Sequence, residues 1–339
     1  MSVLGYVVAI SRLSRDGPAI PASVVRIFKP QAPAKAVQRA MLFLLIVAVI
    51  GLAIANPNFR NPANLLNIVQ QASMVGVIAC GMQLMVISGG FDLSVGAVAA
   101  AAGCLAAFIS LEFGLLPGIC GGLVLGTAIG AINGSLIAKL SINPFVATFG
   151  MQAVTTGILF AMTSAKPIAP LPPAWRELGF FNIGGLTFAS MVFILVVACL
   201  HLVLRFTRFG QHIYAIGSNK VAASRSGVNV DRVVVATYAV GGLTAAIAGL
   251  MLVSIAGVGS PQTGATWALL SIAAVVIGGT PLSGGVGGIG SAVVGIFALT
   301  VLNNAMTLYS ISAFWQPAFM GLGVLLAVGY EASRRAKKE

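Results

Sequence analysis

The chain has 339 residues, of which 58% are hydrophobic and only 8% charged, and it carries a formal net charge of +12. In a soluble domain about a quarter of the residues are charged, so a soluble enzyme or binding module is excluded. A membrane β-barrel would read as short alternating segments; instead long apolar runs recur, each near the roughly 20 residues that a bilayer-crossing helix needs. The composition is that of an all-α polytopic membrane protein. The excess of cations reads as topogenic charge in cytoplasmic loops, and there is no basic domain with which to bind nucleic acid.

In chain order, residues 1–40 come first and carry Arg12, Arg15, Arg26, Lys29, Lys35 and Arg39. "LGYVVAI" is too short for the apolar core of a signal peptide, and no small-residue cleavage site follows it. This stretch is expected to be a basic cytoplasmic tail lying partly on anionic lipid. A transmembrane domain over 41–330 follows, with roughly ten spans predicted at 41–56, 67–88, 93–111, 115–138, 144–164, 187–204, 233–257, 267–279, 287–305 and 314–330. Several are short or cut by glycine, which leaves room for broken or re-entrant segments. Residues 331–339 form a second cytoplasmic tail. Alternation from a cytoplasmic N-terminus puts Lys139, the loop 205–232 and the C-terminal tail inside, where the cations concentrate. The segment "TSAKPIAPLPPAWRELGFFNIGG" falls outside; its prolines favour extended or turn backbone, and Trp175 suits an interface anchor.

Many of the 41 glycines lie inside predicted spans, as in "GICGGLVLGTAIGAINGS". Small residues let helix backbones approach closely; beside a cavity a few would instead allow unwinding. "VISGGFDLS" (86–94) echoes "VIGGTPLS" (276–283), and "NGSLIAKLSINPFVATFG" (133–150) loosely echoes "NNAMTLYSISAFWQPAFMG" (303–321). An internal duplication and chance in glycine-rich sequence both account for this. Cys80, Cys104, Cys120 and Cys199 sit in apolar runs without CxxC spacing and read as small buried hydrophobes.

No GxxxxGK[ST] occurs, so the chain has no P-loop of its own. Asp92 is the one acid well inside the apolar region. That is too few for an aspartyl dyad and thin for an ion-coupling relay. No catalytic residue, metal ligand or cofactor is expected. A carboxylate at mid-bilayer costs about 2.5–3.5 kcal/mol, so Asp92 is expected near an interface or a polar cavity. It reads as a cap for the following helix, with contact to solute or gate as the alternative. Asn133, Asn143, Asn303 and Asn304 suit either a polar path or interhelical hydrogen bonds. Phe91 and Trp315 suit a solute face or lipid. With Asp92 and Ser94, these make the candidate pathway or gate residues.

The segment "RFTRFGQHIYAIGSNKVAASRSGVNVDR" (205–232) gathers charge between two apolar runs. Gly217 is expected to break the chain. Ser218 or Asn219 then caps a helix of about two turns, and Gly227 stops it in an αL conformation. Such a helix is not stable alone and needs a surface to dock on; a loop that merely fixes orientation is the plainer reading.

The motifs "ISGGFDLSVGAVAAAAG", "NGSLIAKLSINPFVATFG", "TRFGQHIYAIGSNKVAASRSGVNVDR" and "GGTPLSGGVGGIGSAVVGIFALTVLNN" with "FWQPAFMGLGVLLAV" together resemble bacterial ABC-importer permeases of the ribose and monosaccharide class. The likeness covers nearly the whole chain after residue 40. It implies a permease subunit for a monosaccharide or small polyol. Expected partners are cytoplasmic ATPase subunits, a periplasmic binding protein, a second permease copy (identical or sister) and membrane lipid. It further implies that Asn219, Ala222, Ala223, Ser226 and Gly227 lie at the ATPase contact. Rival readings are a permease for a nucleoside or furanosyl signal, an ion-coupled carrier, and a non-transporting scaffold.

Overall fold

The computed structural model describes residues 32–312 and, beyond them, 314–316, 318, 319, 321, 322 and 329. Its helices are α1 (Ala32–Ala55), α2 (Pro62–Ile87), α3 (Val95–Phe113), α4 (Leu115–Lys139), α5 (Pro144–Thr163), α6 (Pro173–Phe180), α7 (Phe188–Phe206), α8 (Arg208–Ser218), α9 (Lys220–Arg225), α10 (Val230–Ala256), α11 (Trp267–Ile277) and α12 (Ile289–Leu308). A small antiparallel hairpin, β1 (Asn182–Ile183) and β2 (Leu186–Thr187), precedes α7. Among the described residues eight helices are long and apolar enough to cross a membrane, and α11 is a shorter apolar helix. Most of the tenth predicted span, 314–330, lies outside the described residues, as do residues 1–31 and 331–339.

Local chemistry sets the boundaries. Side chains of Asn61, Asn143, Thr187, Thr207, Asn219 and Asn229 accept backbone N–H groups at the starts of α2, α5, α7, α8, α9 and α10, satisfying donors that a helix start leaves free. Proline at the first turn of α2 and α5 adds a preset φ. α1 begins inside the stretch expected to be tail, because "APAKAVQRA" is rich in helix formers and runs on into the apolar span.

The packed centre is α2, α3, α4 and α10. Gly118, Gly122, Gly126, Gly130 and Gly134 fall every fourth residue on α4, and all are buried. Added Cβ atoms would lie 2.8 Å from the Ala102 carbonyl oxygen at Gly122 and 2.7 Å from that of Gly242 at Gly126. At Gly130 a Cβ would strike the Tyr238 carbonyl oxygen. The glycine face therefore leans on α3 first and α10 second, at backbone contact. By contrast α1 buries none of its apolar window.

The segment expected outside departs from expectation. Part of it folds as α6, and Trp175 is fully buried within the protein. Its indole N–H donates to Ser110 Oγ at 2.9 Å, and Gly179 lies so close to the Ser254 carbonyl that a Cβ would collide there. A buried indole needs such a partner, and α3 supplies it.

The two sequence echoes share local geometry. After α2, Ser88, Gly89 and Gly90 N–H groups bond Leu84, Val86 and Met85 carbonyls; after α11, Gly278, Gly279 and Thr280 bond Ala274, Val276 and Val275. Gly89 has φ +88° and Gly279 φ +96°, a conformation that favours glycine. In the second pair Ser141 and Ser310 have φ of 54° and 56°. Asn143 and Ser312 side chains then accept from Phe145 and Phe314 N–H groups. Two helices separate the turns of the first copy but only α12 separates those of the second, so the likeness is one of turns.

Candidate functional site

The break between α2 and α3 holds a buried polar knot. Asp92 Oδ1 accepts the Ser94 N–H at 2.7 Å and the Ser94 hydroxyl at 2.6 Å. Asn133 Nδ2, from α4, donates to Asp92 Oδ2 at 3.1 Å and to Ser94 Oγ at 2.9 Å. All three side chains are buried, and the carboxylate's partners are uncharged. A helix cap would take N–H groups of the helix's own first turn. Asp92 instead closes an Asx turn one residue before α3 and ties α4 to that turn. Two more bonds converge beside it: Tyr238 Oη donates to the Phe91 carbonyl at 3.1 Å, and the Leu93 N–H donates to Thr148 Oγ1 at 3.1 Å. The break is thus pinned by α4, α5 and α10. Asn133 Oδ1 is buried without a hydrogen-bond partner.

The other candidates do not join this knot. Asn304 exchanges hydrogen bonds with Asn64 at 2.8 and 3.1 Å, an amide pair between α12 and α2. Asn303 donates to Gln316 at 3.0 Å. Trp315 is exposed, as is Asn143 at the head of α5. Phe91 is half-buried against the core.

The charged loop folds into two helices where one was expected. Gly217 does not break the chain: α8 runs through it to Ser218, and the bend comes at Asn219 with φ −162° and ψ 102°. Backbone space, rather than flexibility, explains this glycine, since a Cβ would collide with the Ile87 carbonyl oxygen and sit 2.6 Å from Gly285 N. Asn219 Oδ1 caps α9 through the Ala222 N–H at 2.9 Å. Ser226 Oγ donates to the Ala222 carbonyl at 2.9 Å, and Gly227 has φ +85°. Ala223 turns inward and is buried, whereas Lys220, Val221, Ala222, Ser224 and Arg225 are exposed. α8 seats Ile213 and Ile216 in the core, and Tyr214 Oη donates to the Gly287 carbonyl at 2.8 Å. Burial pushes the Tyr214 phenol above its ordinary pKa.

Sequence reasoning missed Tyr214, Tyr238, Thr148 and Gln83. The last donates from Nε2 to Thr280 Oγ1 at 2.9 Å. The signal available was local: Thr207 as a cap, followed by apolar residues at Phe209, Ile213 and Ile216, marks a helix with one buried face. Nothing in the sequence pairs Gln83 with Thr280.

A family model described as branched-chain amino acid transport system / permease component matches residues 64–328. The chain is 35% identical over 296 residues to the ribose import permease protein RbsC of Escherichia coli (strain K12), covering 86% of this chain and 92% of the relative. It is 37% identical over 304 residues to RbsC of Bacillus subtilis (strain 168), covering 87% and 92%. It is 36% identical over 305 residues to the L-arabinose transport system permease protein AraH of E. coli (strain K12), covering 89% and 92%. No solved structure matches. These matches span the α2 knot, the α8–α9 segment and the glycine turns alike, and the chain belongs to the family of the branched-chain amino acid transport system permease components.

Proposed function

We propose that this chain is the transmembrane permease subunit of an ATP-driven ABC importer and that its solute is a monosaccharide or a related small polyol. The carrying observation is the whole-length likeness to permeases named for ribose and arabinose import. The spans support it: Asp92 is the one acid well inside them, and it is tied up by Ser94 and Asn133. A path of amides, hydroxyls and backbone groups suits an uncharged, hydroxylated solute better than a charged one. Power comes from separate ATPase subunits, in keeping with the lack of a P-loop in the sequence. A soluble binding protein delivers the solute, both chain ends face the cytoplasm, and a second permease copy completes the path.

In this reading the exposed face of α9 receives the ATPase subunits, with Asn219, Ser226 and Gly227 shaping its ends. Ala222 meets the partner and Ala223 seats the helix. Ala222→Trp should therefore abolish copurification of the ATPase while the permease stays folded, whereas Ala223→Trp should unseat α9 itself. The open face of α5, the exposed Asn143 and Trp315 and the half-buried Asn303 belong to the path or its rim, and Asp92, Ser94, Asn133 and Phe91 hold the framework behind it.

The test is uptake by vesicles holding the permease, ATPase and binding protein. Labelled ribose and arabinose are compared with labelled leucine, a nucleoside and a phosphate ester. Sugar uptake that needs ATP and the binding protein and ignores ion gradients is expected. Preference for leucine or the nucleoside would replace the solute, and uptake driven by an ion gradient alone would overturn the ABC reading.

A further inference from the structure

Three backbone strands meet at one point beside the α8–α9 bend. The Gly285 N–H donates to the Ile87 carbonyl at 2.8 Å, which joins the turn after α11 to the end of α2. Gly217, on the last turn of α8, lies on that hydrogen bond. Its place admits no Cβ, because Ile87 O and Gly285 N are both in the way. Around the contact, the Gly284 Cβ position lies 2.9 Å from Gly89 Cα, and that of Gly285 lies 2.8 Å from Ser218 Oγ. Gly89, Gly284 and Gly285 have φ of 88°, 79° and 78°. Tyr214, one turn earlier on α8, bonds the same α11–α12 connection at Gly287.

The mechanical consequence follows from the residue type. Ile213 and Ile216 carry α8 against the core through side chains that can shift between rotamers. At Gly217 backbone presses on backbone, and no rotamer can absorb a displacement. Both glycine turns are reached at once: Ile87 leads to the turn that carries Asp92 and starts α3, and Gly285 leads to the turn that starts α12. On the other flank a cavity of about 280 Å3, lined in part by Ser88, Gly89, Gly90, Ile216, Lys220 and Tyr238, leaves room for the root of α9 to move.

The geometry points to Gly217 as the positioning residue through which displacement of the α8–α9 arm is delivered together to the α2–α3 and α11–α12 turns. This inference rests on the reading of α9 as the ATPase contact. Gly217→Ala inserts a methyl group into the joint and spreads the three strands. Tyr214→Phe removes one tie to the second turn without adding volume. Neither residue lies on the exposed face of α9, so ATPase docking is retained in both.

The experiment uses the complete complex in vesicles, with labelled ribose and arabinose as probes. It records solute taken up per ATP hydrolysed and the stimulation of hydrolysis by the binding protein. Gly217→Ala is expected to lower uptake per ATP about tenfold and to lose stimulation, with basal hydrolysis retained. Tyr214→Phe is expected to lower uptake per ATP about two- to threefold. Gly51→Ala, on α1 with open space around it, should match the unaltered protein. Unchanged uptake per ATP and unchanged stimulation in an assembled Gly217→Ala complex would overturn the inference. So would loss of ATPase binding, which would make Gly217 part of the docking surface. Should Gly217→Ala fail to fold, Tyr214→Phe decides alone by the same two readings. If the unaltered complex imports neither sugar, the solute reading fails, and stimulation of hydrolysis still judges the joint.

Discussion

Helices α4 and α5 are joined by a short loop and both carry glycine inside a span, yet they use it in opposite ways. On α4 five glycines fall every fourth residue and are buried to the point where a methyl group meets a neighbouring backbone. On α5, Gly150 and Gly157 have nothing within 4 Å of a Cβ position. Phe145, Val146, Phe149, Val154 and Ile158 are likewise exposed there. Lipid tails are as apolar as leucine, so helix association within a bilayer gains most from close packing and little from burial. The α4 seam is what that driving force builds within one chain. The open α5 face, with Phe145 and Phe149 stacked 5.9 Å apart, is a surface that this chain alone does not pack against.

The strongest way to break the comparison is to fill the seam. At Gly130 a Cβ meets the Tyr238 carbonyl, and Gly242 Cα and N lie 3.0 Å away. These are backbone atoms that cannot rotate aside. Gly130→Leu is expected to leave no folded protein in detergent extracts. Gly130→Ala should survive with a loss of about 1–3 kcal/mol, read as an earlier melt by size-exclusion chromatography of heated samples. A normal melt for Gly130→Ala would mean that α4 and α10 are held apart in the membrane.

Next come the bonds that pin the start of α3. Asp92→Ala removes the acceptor of the Ser94 N–H and hydroxyl and of one Asn133 N–H. Each buried group left unpaired costs about 1–3 kcal/mol, so a clearly earlier melt and low yield are expected. Asp92→Asn keeps the Oδ1 acceptor and places an amide against Asn133 Nδ2. The Asn133 side chain then turns over, so that Oδ1, unpartnered in the parent, accepts from the new amide. One hydrogen bond to Ser94 is lost in exchange, a cost of about 0.5–1.5 kcal/mol. Uptake at near-normal protein level is expected for Asn; abolished uptake with normal yield would show that the charge itself works in transport.

The difference between these regions also marks what the sequence could tell. Spans, caps and the α9 helix were legible, because apolar length, Asn219 and Gly227 act over a few residues. The α4 seam was visible as spacing in "GICGGLVLGTAIGAINGS". Its partner was not, since pairing with Gly242 and Tyr238 spans more than a hundred positions and depends on how the helices cross. Asp92 stands out in the sequence as an acid amid apolar runs, but its tie to Asn133 on α4 belongs to the tertiary fold. Gly217 shows the limit most clearly: glycine inside a polar loop reads as a break, whereas here a helix passes through it because another backbone lies alongside.

The smallest effect should come from Gly150→Ala, and it is the one that sharpens the comparison. The methyl group enters open space on a residue inside a regular helix. Alanine is the better helix former by about 1 kcal/mol in water, so the isolated chain is expected to melt unchanged or slightly later. The same substitution in the assembled complex reads the proposed second copy. If two α5 faces meet there by close backbone approach, as α4 meets α10, the added methyl group should lower dimer yield on mild cross-linking and leave the monomer melt untouched. A dimer as stable as the parent would mean that α5 faces the solute path or lipid, with only contacts loose enough to admit a methyl group. A destabilised monomer would instead equate the two helices and remove the contrast between seam and open face.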